Sequence, residues 1–450
     1  MVTDLVPSTN FPLPVFHFAI FCCSRPQSIF LQNRAIIMHT QERQALRLGF
    51  IGAGEVNFGS DSVVVPWNHA RVVDLLGHGE GWCGFPPVGI TVVGVADIDA
   101  ARANAIAERW RNKSPQIFGS MKAFDSVHAM LDEALPDAVI IGLPPFAHGL
   151  PQKFDFELEC ARRGIHLLVE KPISSHLPEQ VAQVCDEIKK LAEERKIMVS
   201  VGYMFRYAEP VLKLRQLLAE HGAEHPHAPA VRAVLLKYNS AYPAIEKAMW
   251  WDVRLSGGPI IEQCTHFADL ARLVAGEVNL DTLSAMAIGA PTDMNIGAGC
   301  LDSLPNDVIS GKSVEEGLPL EFRVPRVTTA QWRFASGALG SLMHGALLHG
   351  DHYECEMEVW GDGIRIRLED PYGKARLHVS RDVGGKNVQI EEVISFGDVG
   401  MDNFYQKEIA TWLNAISTGD SSGIQSSYED AFKSFELTWA IRVASERNRC

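Results

Sequence analysis

The sequence predicts an α/β protein: a doubly wound parallel sheet in its first half, then an α+β half built on an open antiparallel sheet. Two patterns carry this. Between residues 46 and 202, short apolar runs alternate with stretches of helical period, as parallel strands joined by helical crossovers do. After Tyr203 the runs lengthen and alternate apolar with polar residues, as antiparallel strands with one exposed face do. The expected organisation is an extension over 1–45, disordered or processed, then domains at 46–202 and 203–450.

The first strand is Leu46 to Ile51, and it runs into Gly52-Ala53-Gly54. Such a turn lacks side chains, so backbone N–H groups can approach a pyrophosphate; Gly52 and Gly54 are therefore expected at a dinucleotide. A second strand, Ile90 to Ala96, ends in Asp97, and a helix follows from Asp99, its N-cap, through Trp110. Asp97 stands where a dinucleotide fold holds the adenosine ribose, and a carboxylate there favours NAD over NADP. Two features depart from the usual fingerprint. Asn57 occupies the third glycine position, and Asp97 comes 45 residues after Gly52 instead of ~20. Residues 57–89 thus hold an insertion around a helix from about Pro66 to Leu76, which either shapes the pocket or decorates the surface.

The third unit is a strand from Ala138 to Leu143 stopped by Pro144-Pro145, with His148 beyond and a helix reaching Arg163, closed by Gly164. Ile165 to Val169 is the next strand, followed by a helix over Pro178–Glu194 and a strand over Ile197–Gly202. Period-2 runs then appear at Val231–Tyr238, Thr328–Phe334, Gly340–Leu348, Cys355–Trp360, Ile364–Leu368 and Ala375–Val379, and two helices, Asp402–Ile416 and Tyr428–Glu446, end the chain. An open sheet face needs a cover, so a homo-oligomer formed through the C-terminal sheet is expected.

Composition narrows the function. The chain has 450 residues, 46 % hydrophobic and 21 % charged, with room for two cores. Its net charge of -14 is spread along the sequence without a basic block, which argues against nucleic-acid or membrane partners and for a small-molecule substrate. Nine cysteines form no C-x-x-C pair, as expected of reduced thiols in a cytoplasmic protein, and no metal site is expected. The apolar stretch Phe11–Cys23 is too short to span a bilayer and has no basic residue ahead of it. Residues 1–37, ahead of Met38, read as a disordered extension, an organellar presequence or a misplaced start.

Two segments carry chemistry. Residues 166–172 form an apolar strand ending in Glu170-Lys171-Pro172, which puts Lys171 just outside the carboxyl end of a strand, where open α/β sheets bind ligands. In Ser256-Gly257-Gly258-Pro259-Ile260-Ile261-Glu262-Gln263-Cys264-Thr265-His266, a helix beginning near Pro259 sets Glu262 and His266 four apart on one face. A carboxylate beside an imidazole orients it and raises its basicity, as a general base needs; an ordinary surface pair is the alternative. Trp250 and Trp251 suit either a sugar ring or a core. His344, His349 and His352 would split between strand faces, which disfavours a metal site. Arg206 and Tyr207 follow another strand end, so Arg206 is either a substrate contact or a salt-bridge partner.

Together, Gly52-Ala53-Gly54, Pro144-Pro145-x-x-His148, Glu170-Lys171-Pro172, Gly202-Tyr203-Met204-Phe205-Arg206 and Gly257-Gly258…Glu262…His266…Asp269 resemble the glucose-fructose oxidoreductase / inositol dehydrogenase / rhizopine catabolism (Gfo/Idh/MocA) family over about residues 46–450. The resemblance implies a Rossmann domain that binds NAD or NADP through Gly52, Gly54, Glu55, Asp97, Leu143, Pro144, His148, Glu170 and Lys171, followed by a substrate domain. It implies hydride transfer to or from a sugar, a cyclitol or a related polyhydroxylated compound. Lys171, His266 and Glu262 would be catalytic, with Glu262 in place of the commoner Asp and orienting the imidazole, and Tyr203, Arg206 and Trp251 would meet substrate. Two other functions stay open: an NAD-dependent glycosidase using a transient oxidation, and a non-catalytic dinucleotide-binding sensor.

Overall fold

In the computed structural model, Leu46–Ile51 (β1) is flanked on both sides by parallel neighbours, so its run of apolar residues is buried on both faces. The residues described are 45–59, 68–227, 230–241, 248–289, 315, 317–348, 353–382, 389–397 and 400–448. With β2 (Ile90–Ala96), β3 (Lys122–Phe124), β4 (Ala138–Ile141), β5 (His166–Val169) and β6 (Val199–Val201), β1 forms a six-stranded parallel sheet in the order 3-2-1-4-5-6. The order reverses between β1 and β4, and a crevice opens there at the carboxyl ends of the strands.

Helices cover both faces of this sheet: α1 (Glu55–Phe58), α2 (His69–Gly77), α3 (Ala100–Lys113), α4 (Pro115–Phe118), α5 (Val127–Glu133), α6 (Phe156–Arg162) and α7 (Pro178–Arg195). Asp99 caps α3 as expected, its side chain accepting from the Arg102 N–H. The insertion helix α2 begins at His69, and residues 60–67, including the expected start at Pro66 and Trp67, lie outside the described residues.

The second sheet has eight strands: β7 (Ala233–Ala241), β8 (Val278–Ile288), β9 (Val327–Phe334), β10 (Leu339–Leu348), β11 (Glu354–Gly361), β12 (Ile364–Glu369), β13 (Arg376–Asp382) and β14 (Gln389–Ser395), ordered 14-13-12-11-7-10-9-8. It is mixed and not purely antiparallel as expected, because β7 and β10 pair in parallel while the other neighbours are antiparallel. The chain leaves β7 through a long excursion holding α9 (Val253–Ser256), α10 (Pro259–Glu262) and α11 (Thr265–Ala275), so β10 returns in the same direction. Alternation is clean where expected: Thr328, Ala330, Trp332 and Phe334 of β9 are buried while Gln331 and Arg333 face outward. The buried side meets α8 (Glu209–Glu224) and α11 in one hydrophobic cluster, which also takes in residues of α12 (Gly400–Thr418) and α13 (Tyr428–Arg447).

Candidate active site

The glycine turn has the shape a dinucleotide requires. Gly52 sits at φ +92°, and a Cβ there would stand 2.4 Å from the Gly142 carbonyl oxygen, whereas a Cβ on Gly54 would meet nothing within 4 Å. The first glycine allows β1 and β4 to close; the second leaves open space for a ligand. Asn57, in place of the third glycine, is fully buried and donates to the carbonyls of Ile51 (3.2 Å) and Gly52 (2.7 Å). It fits because Gly142 has no side chain: a Cβ there would lie 2.6 Å from the Asn57 amide oxygen. A hydrogen-bonded staple thus replaces the close packing a small residue would provide.

Asp97 ends β2 as expected, and its carboxylate accepts from the N–H groups of Ala53 (2.7 Å) and Asp99 (2.8 Å) and from the Arg102 guanidinium (2.7 Å). Burial pushes its pKa up, but Arg102 and the two N–H groups outweigh this and hold it below the ordinary value of 3.8. The group is an anion at neutral pH. Arg102 lines the same crevice and was missed in the sequence, although an arginine in the first turn of the helix after a strand-ending aspartate is a readable signal.

Lys171 leaves β5 at its carboxyl end, and its ammonium group donates to the Glu262 backbone carbonyl (3.0 Å), 3.9 Å from the Glu262 carboxylate. That carboxylate accepts from Trp250 Nε1 at 3.0 Å. Glu262 is therefore engaged with Lys171 and Trp250, and among the described residues no hydrogen bond or ion pair joins it to His266. The expected continuous helix is broken: α10 ends at Glu262, α11 starts at Thr265, and the N–H groups of both Gln263 and Cys264 turn to the Pro259 carbonyl. Spacing by four no longer means one face, and the expectation that Glu262 orients the imidazole is corrected.

His266 is buried, with the rings of Tyr203, Phe205 and Tyr372 edge-on around it at centroid distances of 5.4–6.5 Å. Burial first, and the Lys171 charge second, hold its pKa well below the usual 6.5, so the imidazole is neutral. Its Nδ1 is buried without a hydrogen-bond partner.

One cleft of about 520 Å³ brings these groups together. Gly52, Gly54, Glu55, Asp97, Leu143, Pro144 and Glu170 line it, together with Lys171, Glu262 and His266. Its far wall is aromatic, made of Tyr238, Tyr353, Tyr372, Tyr405 and Trp250, and none of the four tyrosines was anticipated. They lie far apart in the chain, and only folding assembles them.

Four expected contacts point elsewhere. Arg206 is buried, with its guanidinium forked onto Asp269 (2.7 and 2.6 Å), because a buried cation needs a paired anion more than an open cleft. Tyr203 is buried and bonds Thr265 through its hydroxyl at 2.8 Å. Trp251 is fully buried, so Trp250 takes the place expected of it. His148 is buried against Glu157 (2.8 Å) and its carbonyl accepts from Ser174, so it braces the loop instead of lining the cleft. His344 bonds Gln263 (3.0 Å) and stacks on Tyr238, while His349 and His352 lie outside the described residues.

The cleft matches a known lineage. The model "Oxidoreductase family, NAD-binding Rossmann fold" (GFO_IDH_MocA) matches residues 46–203, and a model of an oxidoreductase C-terminal domain matches 206–364. An uncharacterised protein of Schizosaccharomyces pombe is 31 % identical over 410 residues, 88 % of this chain and 91 % of its own. The chain belongs to the Gfo/Idh/MocA oxidoreductase family. Myo-inositol 2-dehydrogenase of Thermotoga maritima is 23 % identical over 334 residues, covering 74 % of this chain and 84 % of that one. A levoglucosan dehydrogenase solved with NADH shares the fold at a TM-score of 0.66 and 17 % identity, covering 90 % of this chain and 98 % of that one. This Gfo/Idh/MocA protein is accordingly an NAD-binding dehydrogenase acting on CH–OH groups. No helix among its described residues is long and apolar enough to cross a membrane.

Proposed function

We propose that this protein oxidises a secondary alcohol of an uncharged sugar or cyclitol with NAD, or reduces the corresponding ketone. The observation that carries this reading is the meeting of Lys171 and His266, from opposite halves of the chain, on the cleft that also holds Gly52, Gly54 and Asp97. The aromatic wall supports a ring-shaped substrate, since sugar C–H faces pack on tyrosine and tryptophan while their hydroxyls find the polar edges. The described relatives named as inositol and levoglucosan dehydrogenases act on compounds of this class.

When bound, NAD supplies the hydride acceptor. The Lys171 ammonium group, already anchored on the Glu262 carbonyl, donates to the substrate oxygen and stabilises negative charge that grows there. Neutral His266 accepts the hydroxyl proton at Nε2 and returns it in the reverse direction. Glu262 holds Lys171 through its backbone carbonyl. Asp97, anionic at the ribose end, favours NAD over NADP.

The finer properties follow from the same features. The exposed apolar side chains of the second sheet suit a second copy of the chain, and the free thiols of Cys83, Cys160, Cys185, Cys264 and Cys355 suit a reducing, cytoplasmic setting.

The test is NADH formation at 340 nm with a panel of inositols and neutral sugars, on the wild type and Lys171→Met. At least one substrate should be oxidised by the wild type, and the variant should lose about 10³-fold or more in kcat while keeping its melting temperature and NADH affinity. A variant that turns over normally removes Lys171 from the chemistry; cleavage of a glycoside with no net NADH would replace the dehydrogenase reading.

A further inference from the structure

The insertion between the glycine turn and β2 reaches the lysine through one buried pair. α2 starts at His69, after Asn68, whose side chain caps the helix by accepting from the Arg71 N–H. His69 has no exposed surface, and its Nε2 lies 2.7 Å from Glu170 Oε1. The second Glu170 oxygen accepts from the Lys171 backbone N–H at 3.1 Å. Glu170 itself is wedged over Gly202, where a Cβ would stand 2.9 Å from the carboxylate. Tyr405, from the cleft's aromatic wall, meets the His69 ring edge-on at 5.4 Å.

The pair is costly as mere packing. His69 Nδ1 is buried without a hydrogen-bond partner, a desolvation penalty that an apolar residue would avoid. A carboxylate as buried as Glu170 is stable only with a polar partner, and among its described hydrogen bonds His69 is the one side chain. The imidazole is thus placed for Glu170, and Glu170 for the backbone of Lys171.

We propose that His69 is a positioning residue: through Glu170 it fixes where Lys171 leaves β5 and so aims the ammonium group at the substrate oxygen, which makes the crossover helix α2 between β1 and β2 a working part of the active site. This rests on the reading of Lys171 given above.

The test compares His69→Leu, His69→Gln and Glu170→Gln in the full-length protein. Three quantities are read: kcat and KM, NADH affinity by fluorescence, and the NMR signal of Lys171 after reductive ¹³C-methylation, assigned by its loss in Lys171→Arg. In His69→Leu, kcat should fall about tenfold or more, NADH affinity should change less than about threefold, and the Lys171 signal should move. His69→Gln, which can still donate an N–H to Glu170, should recover most of kcat, and adding Glu170→Gln to His69→Leu should cost little more. Unchanged kcat and an unmoved Lys171 signal in His69→Leu overturn the proposal. So does a loss shared equally by the leucine and glutamine variants that tracks melting temperature alone. If no polyol is turned over, the dehydrogenase reading fails separately, and the Lys171 signal still decides whether His69 reaches the lysine.

Discussion

His266 and His344 are both held neutral by burial, and this sets how the protein responds to acid. His344, stacked on Tyr238 and bonded to Gln263, has its pKa pushed down to about 3 from 6.5 by desolvation. A group whose folded pKa is depressed takes up its proton first in the unfolded chain, so the stability it contributes is present above pH 6.5 and drains away as pH falls toward 3. At pH 5 one such histidine costs about 2 kcal/mol, taking 1.36 kcal/mol per pH unit below 6.5. The fall in melting temperature between pH 7 and 5 should therefore be shallower in His344→Phe than in the wild type, as scanning calorimetry would show; parallel curves would mean that another group dominates. His266 acts in the same direction.

Among the elements, the turn from β2 into α3 carries the proposed preference for NAD over NADP. Asp97 and Arg102 lie five residues apart on the same cleft, one an anion, the other a cation that the anion occupies; on the proposed reading the anion would disfavour a 2′-phosphate. Asp97→Ala removes the repulsion and frees Arg102 at once. The ratio of kcat/KM for NAD over NADP is expected to fall by about tenfold or more, and titration of both cofactors against the variant measures it; an unchanged ratio would place the ribose elsewhere. The break between α10 and α11 is the opposite kind of element. Pro259 at the helix start was legible, but the extra residue in the turn, where the Cys264 N–H reaches back to the Pro259 carbonyl, coincides with the Gln263 side chain bonding Ser240 and His344 on the second sheet, which no local pattern announces.

At the scale of the whole molecule, the second sheet presents a flat apolar row to the outside. Met286 on β8 and Met343 on β10 both stand opposite Thr329 of β9, and with Ile288 and Leu339 each has more than half its surface open. Patches of this kind favour self-association. In light scattering after gel filtration the wild type should elute as an oligomer, and Met343→Glu paired with Met286→Glu should shift it toward the monomer with little loss of melting temperature. A wild-type monomer would leave this face to some other partner.

The linear sequence by itself determined what depends on neighbours along the chain. The apolar runs of β1, β2, β4 and β5, the Asp99 cap, the glycine turn and the strand-end position of Lys171 all stand as read, because period, capping and φ > 0 are local properties. Short β3 was lost in its loop, and β8 was hidden by a register irregularity between Asn279 and Ser284, while β14 carries exposed apolar residues on a weak pattern. Tertiary structure alone decided which polar groups meet. It sent Arg206 to Asp269 instead of the substrate, set Glu262 on Lys171 instead of His266, and brought His69 across the insertion to Glu170. The reason is physical: a buried charge or imidazole takes the partner that the packed core brings within about 3 Å, and that choice depends on the whole fold and not on spacing in the chain.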